Sequence, residues 1–236
     1  LNYRGEKIPI CMGLLFVFIQ CFSISIILLV QNGMGYTIYY LFTFTLMGLA
    51  GILDDLIGNK TIKGFRGHVG AFFQGNLTTG GIKAGIGFFV SLLISIISYD
   101  YIIDIPINTL IIALFTNTIN LFDLRPGRSI KIFTLFSIIL LITSGIGEYD
   151  FLFYSLYGIL IIYFPLDLKR KSMMGDVGSN VLGFTLGIFC VLTHNLVLRL
   201  VYLLLLIFIH IIGERISLSK IIESNRILKF IDDLWR

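Results

Sequence analysis

Apolar residues along the chain gather into eight runs separated by short polar breaks, at about 10–30, 36–53, 83–98, 105–122, 129–145, 151–166, 177–193 and 195–213. Most approach the roughly 20 residues a helix needs to cross a bilayer, and the shorter ones cross with tilt or local thinning. The pattern predicts an all-α, polytopic membrane helical bundle of about eight transmembrane helices, a single domain over residues 1–236. Beyond the last run, Leu218, Ile221, Ile222, Leu228, Ile231, Leu234 and Trp235 alternate with charged residues at helical spacing. This predicts a C-terminal amphipathic helix in the interface, with Trp235 at headgroup level.

Composition sharpens this picture. The 236 residues are 56% hydrophobic and 14% charged, where a soluble domain carries roughly 25% charged residues. With Leu1–Pro9 placed in the cytoplasm and each run crossing once, every Lys and Arg except Arg199 falls on the cytoplasmic side. The outer turns carry Asp100, Asp104, Glu148 and Asp150 instead. This obeys the positive-inside rule and puts both termini in the cytoplasm. Cys11, Cys21 and Cys190 have no metal or redox spacing and read as small core-filling residues.

The candidate chemistry lies on the cytoplasmic side. Asn117, Asn120 and Asp123 stand three apart at the end of the fourth run, within one arc of about 120° on a helix. An Asp placed at bilayer mid-depth costs roughly 2.5–3.5 kcal/mol. Two readings account for such a face: an interhelical hydrogen-bond patch, or a polar site opening at the helix end. Asp54 and Asp55 end the second run, and Asp176, within Gly175-Asp176-Val177-Gly178-Ser179, opens the seventh. Taken singly, Asp176 and Ser179 could cap a helix and Asp54-Asp55 could be solvated. Four carboxylates on one face, however, call for a counter-charge. Mg²⁺ suits them, because it takes one or two carboxylates plus phosphate oxygens. Nearby Lys60, Arg125, Arg128, Lys169, Arg170 and Lys171 would attract an anionic substrate, though topology alone also explains basic loops. The glycines beside Asp176 allow backbone to approach a phosphate at a helix N-terminus.

In this order, Gly-Ile-Leu-Asp54-Asp55, Asn117-Thr-Ile-Asn120-Leu-Phe-Asp123 and Gly175-Asp176-Val-Gly-Ser179 resemble the polyprenyl-phosphate N-acetylhexosamine-1-phosphate transferase superfamily (glycosyltransferase family 4). That superfamily includes phospho-N-acetylmuramoyl-pentapeptide transferase and undecaprenyl-phosphate N-acetylglucosaminyl-1-phosphate transferase. Arg4-Gly-Glu-Lys7-Ile-Pro9 is similar to the family's basic loop after its first helix, which makes Lys7 a candidate substrate contact and the family's first helix absent here. The resemblance implies Mg²⁺-dependent transfer of a sugar-1-phosphate from a UDP-amino sugar to undecaprenyl phosphate, with release of UMP, in bacterial cell-envelope synthesis. It implies that Asp176, with Asp123, holds the metal on the diphosphate, and that Asp54 and Asp55 assist the lipid phosphate or the metal. Asn117, Asn120 and Asp123 would bind nucleotide and diphosphate, with Arg125, Arg128, Gly175 and Ser179 as further substrate contacts. It further implies a multi-pass protein of the plasma (inner) membrane with its site facing the cytoplasm. It allows a homodimer and gives no role to nucleic acid.

The chain departs from the family in two places. The middle motif usually continues Asp-Gly-x-Asp-Gly, and here it reads Asp123-Leu124-Arg125-Pro126-Gly127, with Pro126 in place of the second acid. The histidine-rich loop expected late in the chain is also missing. Two other readings therefore stand beside the transferase: a non-catalytic relative that binds lipid phosphate or a partner, and a membrane transporter. A transporter needs ionisable groups near the midplane. The grouping of the acids on one side counts against it.

Overall fold

The computed structural model describes residues 8–30, 35–58, 67, 70–71, 74–76, 78–216 and 218–234. Lys7, Lys60, His68 and Trp235 lie outside them. Eight helices occupy the eight apolar runs: α1 Leu14–Val30, α2 Gly35–Ile57, α3 Thr79–Ile97, α4 Asp104–Phe122, α5 Arg128–Ser144, α6 Phe151–Leu168, α7 Gly175–Thr193 and α8 Leu196–Arg215. Two short helices follow, α9 Leu218–Ser224 and α10 Arg226–Asp233. Six of these, α2, α3, α4, α6, α7 and α8, are long and apolar enough to cross a membrane. Among the described residues, six of the eight expected crossings meet this measure. Both α1 and α5 have 17 residues, a rise of about 25 Å against a hydrocarbon core of about 30 Å. Arg128 and Lys131 also shorten the apolar part of α5.

The bundle is built around α7, which is buried without interruption from Val177 to Val191. With no face exposed over that stretch, it belongs at the centre of the bundle. Its small residues let α4 close upon it. A Cβ on Gly183 would lie 2.5 Å from the Phe115 carbonyl oxygen, and one on Gly187 would lie 2.6 Å from Ile112 Cα. Close backbone approach at small residues is how helices gain dispersion energy where lipid already solvates apolar side chains.

A buried polar network joins four helices. The Gln20 amide donates to the Tyr40 hydroxyl, 2.8 Å, and to the Leu152 carbonyl, 2.9 Å. The Tyr40 and Thr185 hydroxyls are 3.0 Å apart, and Ser155 donates to the Gln20 carbonyl oxygen. Arg199, the exception to the charge pattern, is buried rather than displayed. Its guanidinium donates to Asn108 Oδ1 at 2.8 Å and lies 3.4 Å from Asp104. Its charge is thereby countered inside the protein.

The tail is two helices, not the single one expected. Asn225 breaks it, accepting the backbone N–H groups of Ile227, 3.0 Å, and Leu228, 3.1 Å, as the N-cap of α10.

Candidate functional site

Asp54 and Asp55 occupy the last turn of α2, and Asp176 the first turn of α7. These two helices pack closely. A Cβ on Gly51 would lie 2.5 Å from Val177 Cα, so only glycine lets α2 approach the α7 N-terminus at this distance. The two neighbouring aspartates then do different things. Asp54 points to Lys83 on α3, whose ammonium lies 2.7 Å from Asp54 Oδ2 and 2.5 Å from Asp176 Oδ2. One cation thus joins carboxylates from two helices.

Asp55 instead caps α7. The residue before that helix, Met174, supplies no side-chain cap. Asp55 accepts the backbone N–H of Asp176, 3.0 Å, and of Val177, 3.2 Å. Its negative charge sits at the positive end of the helix dipole. Gly175 makes this possible: its φ is +70°, and a Cβ there would lie 2.3 Å from Asp55 Oδ2. Cys11, at φ 59°, has its thiol near the same carboxylate. Burial and the Asp55 charge push that thiol upward from its usual range.

Asn120 and Ser179 meet one turn deeper. The Ser179 hydroxyl is 3.1 Å from Asn120 Oδ1 and 3.2 Å from the Gly175 carbonyl. Asp123 follows the last residue of α4 and accepts from the Ser129 hydroxyl at 2.8 Å. Burial pushes the Asp123 carboxyl up to about 7. The Ser129 hydrogen bond opposes this, while the negative charges of Asp167, Asp176 and Asp55 add to it. The turn after Asp123 is held from the other side, where Asp167 Oδ2 accepts the Gly127 N–H at 2.6 Å. A pocket opens beside this turn, lined among others by Asp123, Arg125, Asp167, Arg170 and Met174.

The structure therefore brings Asp54, Asp55, Asn120, Asp123, Gly175, Asp176 and Ser179 to one end of the bundle. Asn117 and Arg128 stand apart from this group, while Arg125 lines the pocket with its charge engaged by the tail. Asn117 is exposed: at 100° per residue it lies opposite the buried face of α4 that runs through Phe115 and Ile119. Arg125 is ion-paired with Glu223. Arg128 is buried and gives Nε and Nη2 to Asp232, at 2.9 and 2.8 Å, and Nη1 to Ser219 at 2.9 Å. Conversely, Lys83, Ser129, Asp167 and Cys11 belong to the site although no motif marks them. Lys83 alone left a trace, as the single charge within α3.

A resident divalent cation fits this set in one respect. The Lys83 ammonium is a positive charge held between two carboxylates, where a cation shared by Asp54 and Asp176 would be countered in the same way. Among the described residues, no cluster of three His, Cys, Asp or Glu side chains could enclose a metal.

A comparison with family models matches residues 37–194 to the family described as Glycosyl transferase family 4. The matched stretch runs from α2 to the end of α7 and holds Asp54, Asp55, Lys83, Asn120, Asp123 and Asp176. A comparison with curated proteins gives no match.

Proposed function

The chain belongs to glycosyl transferase family 4, and from that premise we propose that it moves a sugar-1-phosphate from a UDP-amino sugar to undecaprenyl phosphate in bacterial cell-envelope synthesis. The donor is of the UDP-N-acetylglucosamine or UDP-N-acetylmuramoyl-pentapeptide type. Family membership carries the coarser statement: a membrane protein of the phospho-sugar transferase kind. The observation that best supports the finer one is the meeting of Asp54, Lys83 and Asp176, contributed by three helices, at one end of the bundle. By the distribution of Lys and Arg, that end faces the cytoplasm, on the inner side of the plasma membrane.

In this reading an oxygen of the acceptor phosphate attacks the β-phosphorus of the donor. A new P–O bond forms as the bond to UMP breaks, and the electron pair leaves on UMP. The acceptor phosphate is already ionised near neutrality, so no side chain must first remove a proton. Phosphoryl transfer depends mainly on alignment and on neutralised charge. Asp176 and Asp123, assisted by Asp54, would hold Mg²⁺, which when bound neutralises diphosphate charge. Lys83 brings a second positive charge to the reacting phosphates and keeps Asp54 and Asp176 from repelling each other. Asp55 fixes the α7 N-terminus, and with it Asp176, by accepting the Asp176 and Val177 N–H groups. Asn120 and Ser179 line the donor side. The pocket beside Arg125 and Arg170 suits the nucleotide.

A non-catalytic, lipid-phosphate-binding relative is the second reading. It is favoured by Pro126 in place of an acid and by the engagement of Arg125 and Arg128 with the tail. The two are separated by incubating membranes that contain the protein with labelled UDP-N-acetylglucosamine or UDP-N-acetylmuramoyl-pentapeptide, undecaprenyl phosphate and Mg²⁺. The transferase reading expects labelled lipid and UMP, both lost in Asp176→Asn. Activity that survives this substitution removes the mechanism, and lipid binding without product supports the second reading.

A further inference from the structure

The C-terminal segment carries a surface that the transfer reaction does not use. At 100° per residue, α10 gathers Phe230, Ile227, Ile231 and Leu228 into one arc of about 160° and leaves Asp232, Lys229, Asp233 and Arg226 in the other. Protein engages the polar arc. Asp232 is buried against Arg128 through two hydrogen bonds. Lys131 donates to the carbonyls of Ile231, Asp232 and Leu234 and so caps the end of the helix. The apolar arc faces away from the bundle, with Ile227 70% and Phe230 67% exposed.

Charge and position identify what covers that arc. Lys220, Arg226 and Lys229 are all exposed, whereas Glu223 and Asp232 are ion-paired with Arg125 and Arg128. The outward charge of the segment is therefore mainly positive. The segment also follows directly on α8, whose exposed Leu204, Phe208 and Ile211 mark a lipid-facing side. An apolar arc flanked by basic residues at the end of a spanning helix matches the boundary between acyl chains and anionic headgroups.

We propose that α9 and α10 dock on an anionic lipid surface, and that the docked segment steadies the turn carrying Asp123 through the Asp232–Arg128 pair. Arg128 begins α5, directly after Gly127 at φ +77°. A tail fixed in the headgroups thus restrains the end of that turn. Asp232 is a positioning residue in this scheme. The docking itself does not depend on the transferase reading.

The test uses the full chain in nanodiscs of phosphatidylcholine, alone or mixed with phosphatidylglycerol, without substrates. A single reporter is made by Phe230→Trp in a Trp235→Phe background. Its emission should be quenched by lipid brominated near the headgroup and little by aqueous iodide, and adding Ile227→Glu should exchange the two sensitivities. Amide exchange across residues 123–128 should slow when phosphatidylglycerol is present, and Asp232→Asn should remove that slowing while the reporter stays lipid-quenched. Quenching by iodide alone, or by neither agent, overturns the docking. Exchange in the unmutated turn that ignores lipid charge overturns the coupling. Since lipid is varied on the native sequence, the second result needs no variant to fold.

Discussion

At the scale of single residues, the site rests on which charge neutralises which. Lys83 is held by two carboxylates, and its removal leaves Asp54 and Asp176 facing each other. Breaking a buried ion pair by removing one partner costs about 3–5 kcal/mol, and these groups are partly exposed, at 17%, 15% and 28%. Lys83→Met should therefore lower stability by about 2–4 kcal/mol in the presence of EDTA. Added Mg²⁺ should raise the melting temperature of this variant more than that of the native protein, because an external cation then replaces the ammonium. A variant that gains no more from Mg²⁺ than the native chain would argue against a shared cation site. Asp123 gives a separate signature. Its folded carboxyl titrates near 7, above its unfolded value of 3.8, so the folded state binds the proton more tightly. Its contribution to stability is full below the unfolded value and is lost as pH rises through about 7. Thermal melts in EDTA should thus show stability falling between about pH 4 and 7, with the slope reduced in Asp123→Asn.

At the scale of elements, close helix approach is what brings the carboxylates together. Gly51 admits the α7 N-terminus to α2, and Gly183 and Gly187 admit α4 to α7. Gly183→Ala places a methyl 2.5 Å from a backbone oxygen, and such overpacking costs about 1–3 kcal/mol. A loss of that size in a detergent-unfolding titration is expected, whereas Gly158→Ala, with open space around it, should be close to neutral. Much at this scale was legible beforehand. The eight apolar runs became eight helices because lipid leaves long uninterrupted apolar stretches as the dominant signal. The central place of α7 was not legible, since lipid-facing and protein-facing helices are both apolar. Nor was the outward turn of Asn117: three-residue spacing defined an arc but not its direction, and Asp123 lies past the helix end. The break at Asn225 had a local signal in its capping side chain, though the apolar periodicity running across it suggested one continuous helix.

At the scale of the whole molecule, the acidic motifs were legible because three short patterns, each ambiguous alone, fall at helix ends on one side. Their partners were not. Lys83 obeys the same charge rule as every other basic residue, and the Arg128–Asp232 pair joins positions that no local pattern connects. What the fold adds is a division of labour between neighbours: Asp54 holds Lys83, and Asp55 holds the α7 backbone. The most direct measurement follows the β-phosphorus of the donor. Purified protein in liposomes containing undecaprenyl phosphate and Mg²⁺ is given UDP-N-acetylglucosamine or UDP-N-acetylmuramoyl-pentapeptide labelled with ³²P at the β-phosphate. With the donor that the site accepts, the label should enter the lipid fraction while unlabelled UMP appears in solution. Label that stays in the aqueous phase with both donors, or that leaves with the nucleotide as UDP, would contradict the account.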